Sequence, residues 1–238
     1  MPNPFFKFKQ FTIHHDKCAM KVGTDGVLLG AWCDVEHASR ILDIGTGSGL
    51  IALMCAQRSK AQIDALEIDQ HAATQANENF VASSFAERIK TIHQDFVDFS
   101  SNVGEKKQYD HIVSNPPYFV NALKCDCSKR STARHDDTLP IATLINLAAT
   151  LLKDNGKLSL VLPTEALSSV ELAARESNLF ISRLTHVLPK PEAASKRILI
   201  ELQPSACTTQ TDTLVIELAR HQYSDDYIRL TKAFYLKM

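Results

Sequence analysis

The most specific chemical pattern in the chain is Ser114-Asn115-Pro116-Pro117-Tyr118, which directly follows a short apolar run. Proline has no backbone N–H group and fixes its own φ angle, so two prolines remove two donors and leave carbonyl groups able to accept. The side chain of Asn115 adds another carbonyl oxygen. Two neighbouring acceptors can hold both hydrogens of a planar NH2 group, and a flat substrate can stack on Tyr118. We predict that Asn115, Pro116 and Tyr118 act on such a group.

A second pattern is the glycine-rich stretch Asp43-Ile44-Gly45-Thr46-Gly47-Ser48-Gly49. The chain has only eight glycines, and six of them lie between residues 23 and 49. Glycines allow a tight turn that brings backbone N–H groups against a ligand at a helix N-terminus. The spacing matches neither the dinucleotide-binding pattern nor a P-loop, and the leading Asp43 favours a cationic or zwitterionic ligand over a pyrophosphate. The predicted ligand-binding residues of this stretch are Asp43, Gly45, Thr46, Gly47 and Gly49.

Acidic residues follow the next two apolar runs of the chain. Glu67 lies 18 residues after Gly49, at a position where an acid can bind both hydroxyl groups of a ribose. Asp69 fits the N-cap of the helix that follows. Asp95 could accept a hydrogen bond from an adenine amino group while Phe96 packs on the ring, although a capping Asp beside a core Phe is an equally good interpretation. Together these residues predict a nucleoside-binding site.

The elements that must position these residues alternate between short β-rich runs and longer helical stretches. Such alternation is typical of an α/β fold with a largely parallel sheet, and the last two of its strands suggest an antiparallel edge. Because ligands bind at the carboxyl ends of parallel strands, the residues after each strand are the candidate site. Residues 1–39 precede the alternation, and 5–11 resemble a strand or hairpin arm. The predicted strands are 41–44, 62–68, 89–96, 109–113, 157–162, 181–188 and 198–202, with 213–218 as an extra strand; the predicted helices are 50–58, 71–85, 138–152 and 164–178.

Composition excludes several classes of protein. Apolar residues make up 45% and charged residues 22% of the 238 residues, which excludes a disordered or fibrous chain. There is no run of 18 apolar residues and no secretory signal, so we expect a cytoplasmic protein without a membrane span. The six cysteines lack framework spacing, and reduced thiols are expected. Cys125 and Cys127, with His135 nearby, are too few ligands for a metal site, and no metal is expected.

Charge is distributed unevenly along the chain. Residues 26–120 carry 12 Asp and Glu against 7 Lys and Arg. Residues 1–25, 183–200 and 220–238 instead carry an excess of Lys and Arg. Basic patches of this kind suit a polyanion such as nucleic acid, although charge alone favours a solvated surface with random charge clusters.

Taken together, Asp43–Gly49, Glu67, Asp95 and Asn115–Tyr118 resemble the four landmarks of class I S-adenosylmethionine-dependent methyltransferases. The resemblance implies a single Rossmann-like domain at 40–238 with a mostly parallel seven-stranded sheet, and a short extension at 1–39 that packs on the core and the cofactor site. It also implies S-adenosylmethionine as the cofactor, with Ile68, Phe96 and Asn115 among the residues that bind it. The Asn-Pro-Pro-Tyr form implies methylation of adenine N6, guanine N2 or a glutamine side-chain amide.

Residues 11–32 are similar to the N-terminal signature of the bacterial tRNA1(Val) adenine-37 N6-methyltransferase family. This resemblance implies a tRNA substrate, methylated by direct attack of adenine N6 on the methyl group without a side-chain base. It places Lys21, Thr24 and Asp25 at the cofactor. A monomer or weak dimer without an obligate protein partner is expected. The candidate RNA-binding residues are Lys129, Arg130, Arg134, Lys190, Lys196 and Arg197.

Four alternatives remain open from the sequence. A guanine-N2 rRNA methyltransferase usually carries extra RNA-binding mass. A glutamine methyltransferase usually has a longer helical N-terminal domain than the roughly 40 residues that precede the first strand here. A DNA adenine methyltransferase would need a target-recognition domain, for which there is no room. A non-catalytic nucleotide-binding or RNA-binding module would not need the intact Asn-Pro-Pro-Tyr pattern.

Overall fold

A computed structural model of the chain describes residues 3–18, 20–103, 107–117 and 139–237. Within these ranges, no helix is both long enough and apolar enough to cross a membrane. Several residues singled out in the sequence lie outside the described residues: Tyr118, Cys125, Cys127, Lys129, Arg130, Arg134 and His135. The elements in chain order are β1 (Phe5–Lys7), β2 (Thr12–His14), α1 (Thr24–Trp32), β3 (Arg40–Ile44), α2 (Leu50–Arg58), β4 (Gln62–Glu67), α3 (Gln70–Val81), β5 (Ile89–His93), α4 (Phe96–Val103), β6 (Tyr109–Ser114), α5 (Ile141–Leu151), β7 (Leu152–Pro163), α6 (Leu167–Glu176), β8 (Phe180–Leu188), β9 (Arg197–Gln203), β10 (Gln210–Val215), β11 (Glu217–Ala219), β12 (Gln222–Tyr223) and α7 (Asp225–Thr231).

The main sheet has eight strands in the order β10-β8-β9-β7-β6-β3-β4-β5. Every neighbouring pair is parallel except the two pairs that β9 makes with β7 and β8. The predicted α/β fold, with a mostly parallel sheet and an antiparallel strand toward one edge, is therefore confirmed. Strand β3 has neighbours on both sides, and its apolar residues are buried on both faces, as expected for an internal parallel strand.

The sheet contains one strand more than the predicted seven. The additional strand, β10, begins at Gln210 rather than at residue 213 and pairs in parallel with β8. Residues 217–219 do not continue it but form a small hairpin with β12. Most side chains of β10 are exposed at the sheet edge, so this strand lacks the apolar alternation by which strands are recognised.

Helices cover both faces of the sheet and give a three-layer α/β/α arrangement. One face is packed by α1 and α2, together with Phe80 of α3 and Phe234 near the chain end. The other face is packed by buried residues of α4, α5 and α6. These two cores hold the strands in register, so the residues that follow the strands have fixed positions.

Helix α1 was not predicted, and it is one of the most buried elements. All of its residues from Gly26 to Trp32 are buried, and it packs against α2, β7 and β9. A Cβ at Gly30 would lie 2.7 Å from the sulfur of Met54, so glycine permits the close approach of α1 to α2. The proposed division at residue 39 stays a prediction, with α1 part of the packed core.

The predicted hairpin arm is present as β1 and β2, and it joins the two ends of the chain. Phe8 forms a bridge with Tyr235, and the backbone N–H of Lys9 donates to the carbonyl oxygen of Phe234 at 2.8 Å. Asn79 of α3 exchanges hydrogen bonds with the backbone of His14 at 3.0 and 2.8 Å. The hairpin is therefore fixed to both the C-terminal segment and α3.

Several element boundaries differ from the sequence interpretation, and two of these differences have a clear local reason. Strand β5 ends at His93 rather than at residue 96, because the Asp95 side chain accepts from the backbone N–H of Val97 and starts α4. Helix α5 ends at Leu151 because β7 begins directly at Leu152, five residues before the predicted strand 157–162.

Candidate functional site

A cavity of about 250 Å³ lies at the carboxyl ends of the parallel strands β3, β4 and β6. This is the sheet edge at which open α/β sheets bind ligands. Its described wall combines Gly45 and Gly47 after β3, residues 67–69 around the end of β4, Asp95 and Phe96 after β5, and residues 114–117 at the end of β6. The fold therefore brings all four predicted motifs to one cavity.

The loop after β3 adopts a backbone that only glycine reaches easily. Gly45, Gly47 and Gly49 have φ angles of +68°, +56° and +86°. The backbone N–H groups of Gly45 and Thr46 both donate to the carbonyl oxygen of Leu66 at 2.9 Å. The loop is therefore tied to the end of β4, and α2 begins immediately after it at Leu50.

Asp43 is fully buried beneath this loop. Its Oδ2 accepts from the hydroxyl of Thr46 at 2.6 Å and from the backbone N–H of Ala52 at 3.1 Å. Within the described residues its Oδ1 has no hydrogen-bond partner. Burial raises the pKa of the Asp43 carboxyl to about 7, against the lowering effect of its two donors. Thr46 thus touches Asp43 and lies underneath the loop with it.

Glu67 connects the glycine loop to the end of β4. Its Oε2 accepts from the backbone N–H of Gly47 at 2.8 Å, and its Oε1 accepts from that of Asp69 at 3.0 Å. The side chain is mostly buried and lines the cavity, as does Ile68. Asp69 caps α3 by accepting from the N–H of Ala72 at 2.7 Å, as predicted. Glu67 keeps further lone pairs on both oxygens for a ligand.

Asp95 and Phe96 fit both interpretations offered by the sequence. One oxygen of Asp95 accepts from the backbone N–H groups of Val97 and Asp98 at 2.7 and 3.2 Å, which is helix capping. Both Asp95 and Phe96 also line the cavity, and Phe96 is buried in its wall. Capping and ligand contact are therefore compatible at Asp95.

The residues after β6 border two cavities. Ser114 donates to the carbonyl oxygen of Ile44 at 2.8 Å, which joins the end of β6 to that of β3. Asn115, Pro116 and Pro117 line the first cavity and also a second one of about 500 Å³. Asn115 is partly buried and Pro116 is buried. The acceptor-rich pattern therefore forms a wall between the two spaces.

The second cavity was not foreseen from the sequence. Its described wall also contains Met20, Asp25, Glu165, Lys196 and Arg197, which come from distant parts of the chain. Asp25 and Arg197 form an ion pair, with Nε and Oδ2 2.8 Å apart. The structure therefore pairs Asp25, which the sequence predicts to bind the cofactor, with Arg197, which it predicts to bind RNA.

Other predicted residues lie apart from the first cavity. Lys21 and Thr24 are exposed and do not belong to its described wall. Lys190 is exposed in the connection between β8 and β9. Met20 and Cys18, which the sequence interpretation missed, do line this cavity; burial and nearby carboxylates raise the pKa of Cys18 to about 11. In the described part of the chain, no group of three His, Cys, Asp or Glu side chains is arranged to hold a metal ion.

Comparison with known proteins identifies close full-length relatives. Residues 19–175 match the model of the methyltransferase small domain family. The chain is 52% identical over 238 residues to the tRNA1(Val) (adenine(37)-N6)-methyltransferase of Bacteroides fragilis strain YCH46, with all of both chains covered. It is 50% identical to the protein of the same name from Parabacteroides distasonis, again over the whole of both chains. The corresponding protein of Trichodesmium erythraeum is 48% identical over 98% of each chain.

Solved structures agree in fold at much lower sequence identity. A predicted O-methyltransferase from Agrobacterium tumefaciens has a TM-score of 0.70 at 20% identity, and the alignment covers 88% of this chain and 96% of that one. A putative RNA methyltransferase from Pyrococcus horikoshii has a TM-score of 0.52 at 15% identity, with 75% and 80% of the two chains covered. These two matches bear on the fold alone.

Proposed function

The chain belongs to the tRNA1(Val) (adenine(37)-N6)-methyltransferase family, and we propose that it transfers a methyl group from S-adenosylmethionine to N6 of adenine 37 in tRNA1(Val). The observation that carries the proposal is the position of Asn115, Pro116 and Pro117 in the wall shared by two cavities. A methyl donor in one space and an amino group in the other would meet at this wall.

The first cavity suits the methyl donor. A Cβ at Gly45 or Gly47 would meet no described atom within 4 Å, so the backbone of the loop leaves open space for a ligand. Glu67 offers carboxylate lone pairs at the position that suits two ribose hydroxyls. The buried, unpartnered Oδ1 of Asp43 favours a cationic group nearby. The proposed cofactor-binding residues are Asp43, Gly45, Thr46, Gly47, Gly49, Glu67, Ile68, Asp95, Phe96 and Asn115; Lys21 and Thr24 rest on the family resemblance.

When bound, S-adenosylmethionine supplies an electrophilic methyl group on a positively charged sulfur. Attack by the lone pair of adenine N6 would form the new N–C bond, S-adenosylhomocysteine would leave with the electrons of the C–S bond, and N6 would then give one proton to solvent. The residues of the chain hold the nitrogen in line with this group, which supplies a large part of the acceleration.

The second cavity suits the acceptor adenine. The side-chain oxygen of Asn115 and the carbonyl oxygen of Pro116 would each accept a hydrogen bond from N6. These bonds favour the tetrahedral, positively charged nitrogen that develops during attack, because an exocyclic amine otherwise delocalises its lone pair into the ring. Tyr118 follows directly in the sequence, and we propose that it stacks on the base. Lys196 borders this cavity and would lie close to the RNA backbone.

The test is methyl transfer from labelled S-adenosylmethionine to total tRNA from a strain that lacks the enzyme, followed by nucleoside analysis. We expect N6-methyladenosine at position 37 of tRNA1(Val). Asn115→Ala should lower kcat about 100- to 1,000-fold, as expected when a hydrogen-bond partner of the transition state is removed. Asn155→Ala is the matched control, since Asn155 is exposed in β7 far from the cavity wall and should retain wild-type activity.

Other outcomes of this experiment would reject parts of the proposal. Label in N2-methylguanosine of rRNA, or in a glutamine side chain of a release factor, would keep the fold and reject the adenine substrate. Cofactor binding without any methyl transfer would instead support a non-catalytic nucleotide-binding module. Wild-type kcat in Asn115→Ala would reject the role proposed for that side chain.

A further inference from the structure

The two faces of the hairpin β1–β2 differ in what they present. Phe5 pairs opposite His14 and Lys7 opposite Thr12, so alternation places these four side chains on one face. Phe5, Lys7 and His14 are exposed, and the ring centroids of Phe5 and His14 are 5.7 Å apart. The other face carries Ile13, which is fully buried. The outer face therefore offers two aromatic rings and an ammonium group to solvent.

The segments around this face carry positive charge without carboxylates. Residues 3–15 and 231–237 contain no Asp or Glu. In the part of the chain that the structure describes, no carboxylate oxygen lies within 4.0 Å of any of their four ammonium groups. Lys17, just beyond the first segment, is by contrast paired with Glu78 at 2.5 Å. The four exposed lysines are Lys7, Lys9, Lys232 and Lys237.

The two charged segments form one surface because the chain ends are bonded together. Phe8 is bridged to Tyr235, and the ammonium group of Lys9 donates to the carbonyl oxygen of Lys232 at 2.5 Å. The ring of Phe8 also contacts the rings of Phe6, Phe11 and Tyr235, which supports this junction. The lysines are therefore held near one another by folded backbone. We call Phe5, Lys7, Lys9, His14, Lys232 and Lys237 the terminal surface.

We propose that the terminal surface binds the substrate tRNA outside the reaction site, with its lysines on phosphates and the Phe5–His14 pair against an unpaired base. Unneutralised ammonium groups favour a polyanion, and exposed rings favour nucleobases. Residues 15–18 connect His14 to Cys18 in the wall of the first cavity, so the terminal surface is only four residues of chain away from that wall. This inference rests on the proposed function, which supplies the RNA.

Direct binding of unmodified tRNA over a range of salt concentrations tests the lysines. Lys7→Gln/Lys237→Gln should make the plot of log association constant against log salt concentration less steep. The magnitude of its negative slope should fall by about 1.4 to 1.8, which is the effect of losing two phosphate contacts. If only this electrostatic part changes, affinity at 0.1 M salt falls roughly 25- to 60-fold. Lys60→Gln/Lys90→Gln is the matched control, because both lysines are exposed near the amino ends of β4 and β5, at the opposite edge of the sheet.

The aromatic pair is tested by a substitution that keeps apolar bulk. Phe5→Leu removes the stacking ring and should weaken tRNA binding about fivefold or more. Phe180→Leu changes another exposed phenylalanine, at the amino end of β8, and should leave tRNA binding at the wild-type value. Affinity for S-adenosylmethionine, measured on the same variants, should stay at the wild-type value and shows that they are folded.

The outcomes separate this inference from the proposed function. If tRNA binds through the terminal surface but is not methylated, the surface stands and the proposed function fails. If tRNA is methylated while Lys7→Gln/Lys237→Gln binds it as tightly as the control variant does, the terminal surface is rejected. Loss of binding to phosphatidylserine vesicles with unchanged tRNA affinity would also reject it, and would assign the surface to a membrane.

Discussion

Replacing Gly49 with alanine should destabilise the protein by about 2–5 kcal/mol, because two separate costs combine at this position. The φ angle of Gly49 is +86°, and a residue with a Cβ reaches that region at a cost of about 1–2 kcal/mol. The new Cβ would also lie 2.4 Å from Cε1 and 2.7 Å from Cζ of Phe80. Phe80 is 1% exposed within the core, and overpacking of this kind costs about 1–3 kcal/mol.

Gly47→Ala separates the two costs. Gly47 also has a positive φ of +56°, but its added Cβ would meet no described atom within 4 Å. Only the backbone cost of about 1–2 kcal/mol should then apply. Because this Cβ would enter the space proposed for the cofactor, Gly47→Ala should also weaken the binding of S-adenosylmethionine to the folded protein. This loss of affinity is separate from the loss of stability.

Urea unfolding followed by circular dichroism measures the free energy of unfolding of both variants and the wild type. Adding Phe80→Leu to Gly49→Ala should reduce the cost of the glycine substitution, since the smaller side chain relieves the overlap. Equal losses for Gly47→Ala and Gly49→Ala would refute the steric argument. The same conclusion would follow if Phe80→Leu and Gly49→Ala were strictly additive.

Two further predictions concern buried and paired charge. Burial raises the pKa of Asp43 to about 7, above its ordinary value in the unfolded chain, so the ligand-free protein should lose stability as pH rises from about 4 to 7. Asp43→Asn removes this dependence on pH. In urea unfolding, the free energy of unfolding of the wild type minus that of the variant should fall by roughly 4 kcal/mol between pH 4 and 7. A difference that stays constant over this range would contradict the raised pKa of Asp43. The Asp25–Arg197 ion pair is about a third exposed and should contribute no more than about 1 kcal/mol to stability. Arg197→Asp should nevertheless raise the KM for tRNA several-fold, and the charge-swapped variant Asp25→Arg/Arg197→Asp should bring the KM most of the way back to the wild-type value. If the KM of the double variant is as high as that of Arg197→Asp, the ion pair does not position the cavity wall.

The placement of the four motifs could be predicted because their strands are buried parallel strands. Such strands are short, nearly continuous apolar runs, and each ends where polar residues begin. Ile44, Leu66 and Val113 end their runs in this way, and the structure gathers the following residues at one cavity. The hydrophobic pattern therefore locates the site without any knowledge of strand order.

Features that depend on contacts between distant residues could not be predicted. Helix α1 contains Gly26 and Gly30, which disfavour helix locally, and it forms because the core covers it on nearly every side. The second cavity depends on the meeting of Asp25 with Arg197, which are 172 residues apart in the chain. Neither residue has a local pattern that indicates the other. The strand order that joins them is set by tertiary packing.

The junction between the two chain ends also dictates when the molecule can be completed during synthesis. Phe8 and Lys9 leave the ribosome long before their partners Phe234 and Tyr235 are added. Strand β8 similarly cannot join the sheet until β9 has been synthesised, because β9 lies between β8 and β7. A nascent chain can therefore build the glycine loop and β3–β6 early while its first hairpin is still without its partner. A nonsense truncation between residues 198 and 233 would thus leave the residues of both cavity walls encoded and the junction unmade.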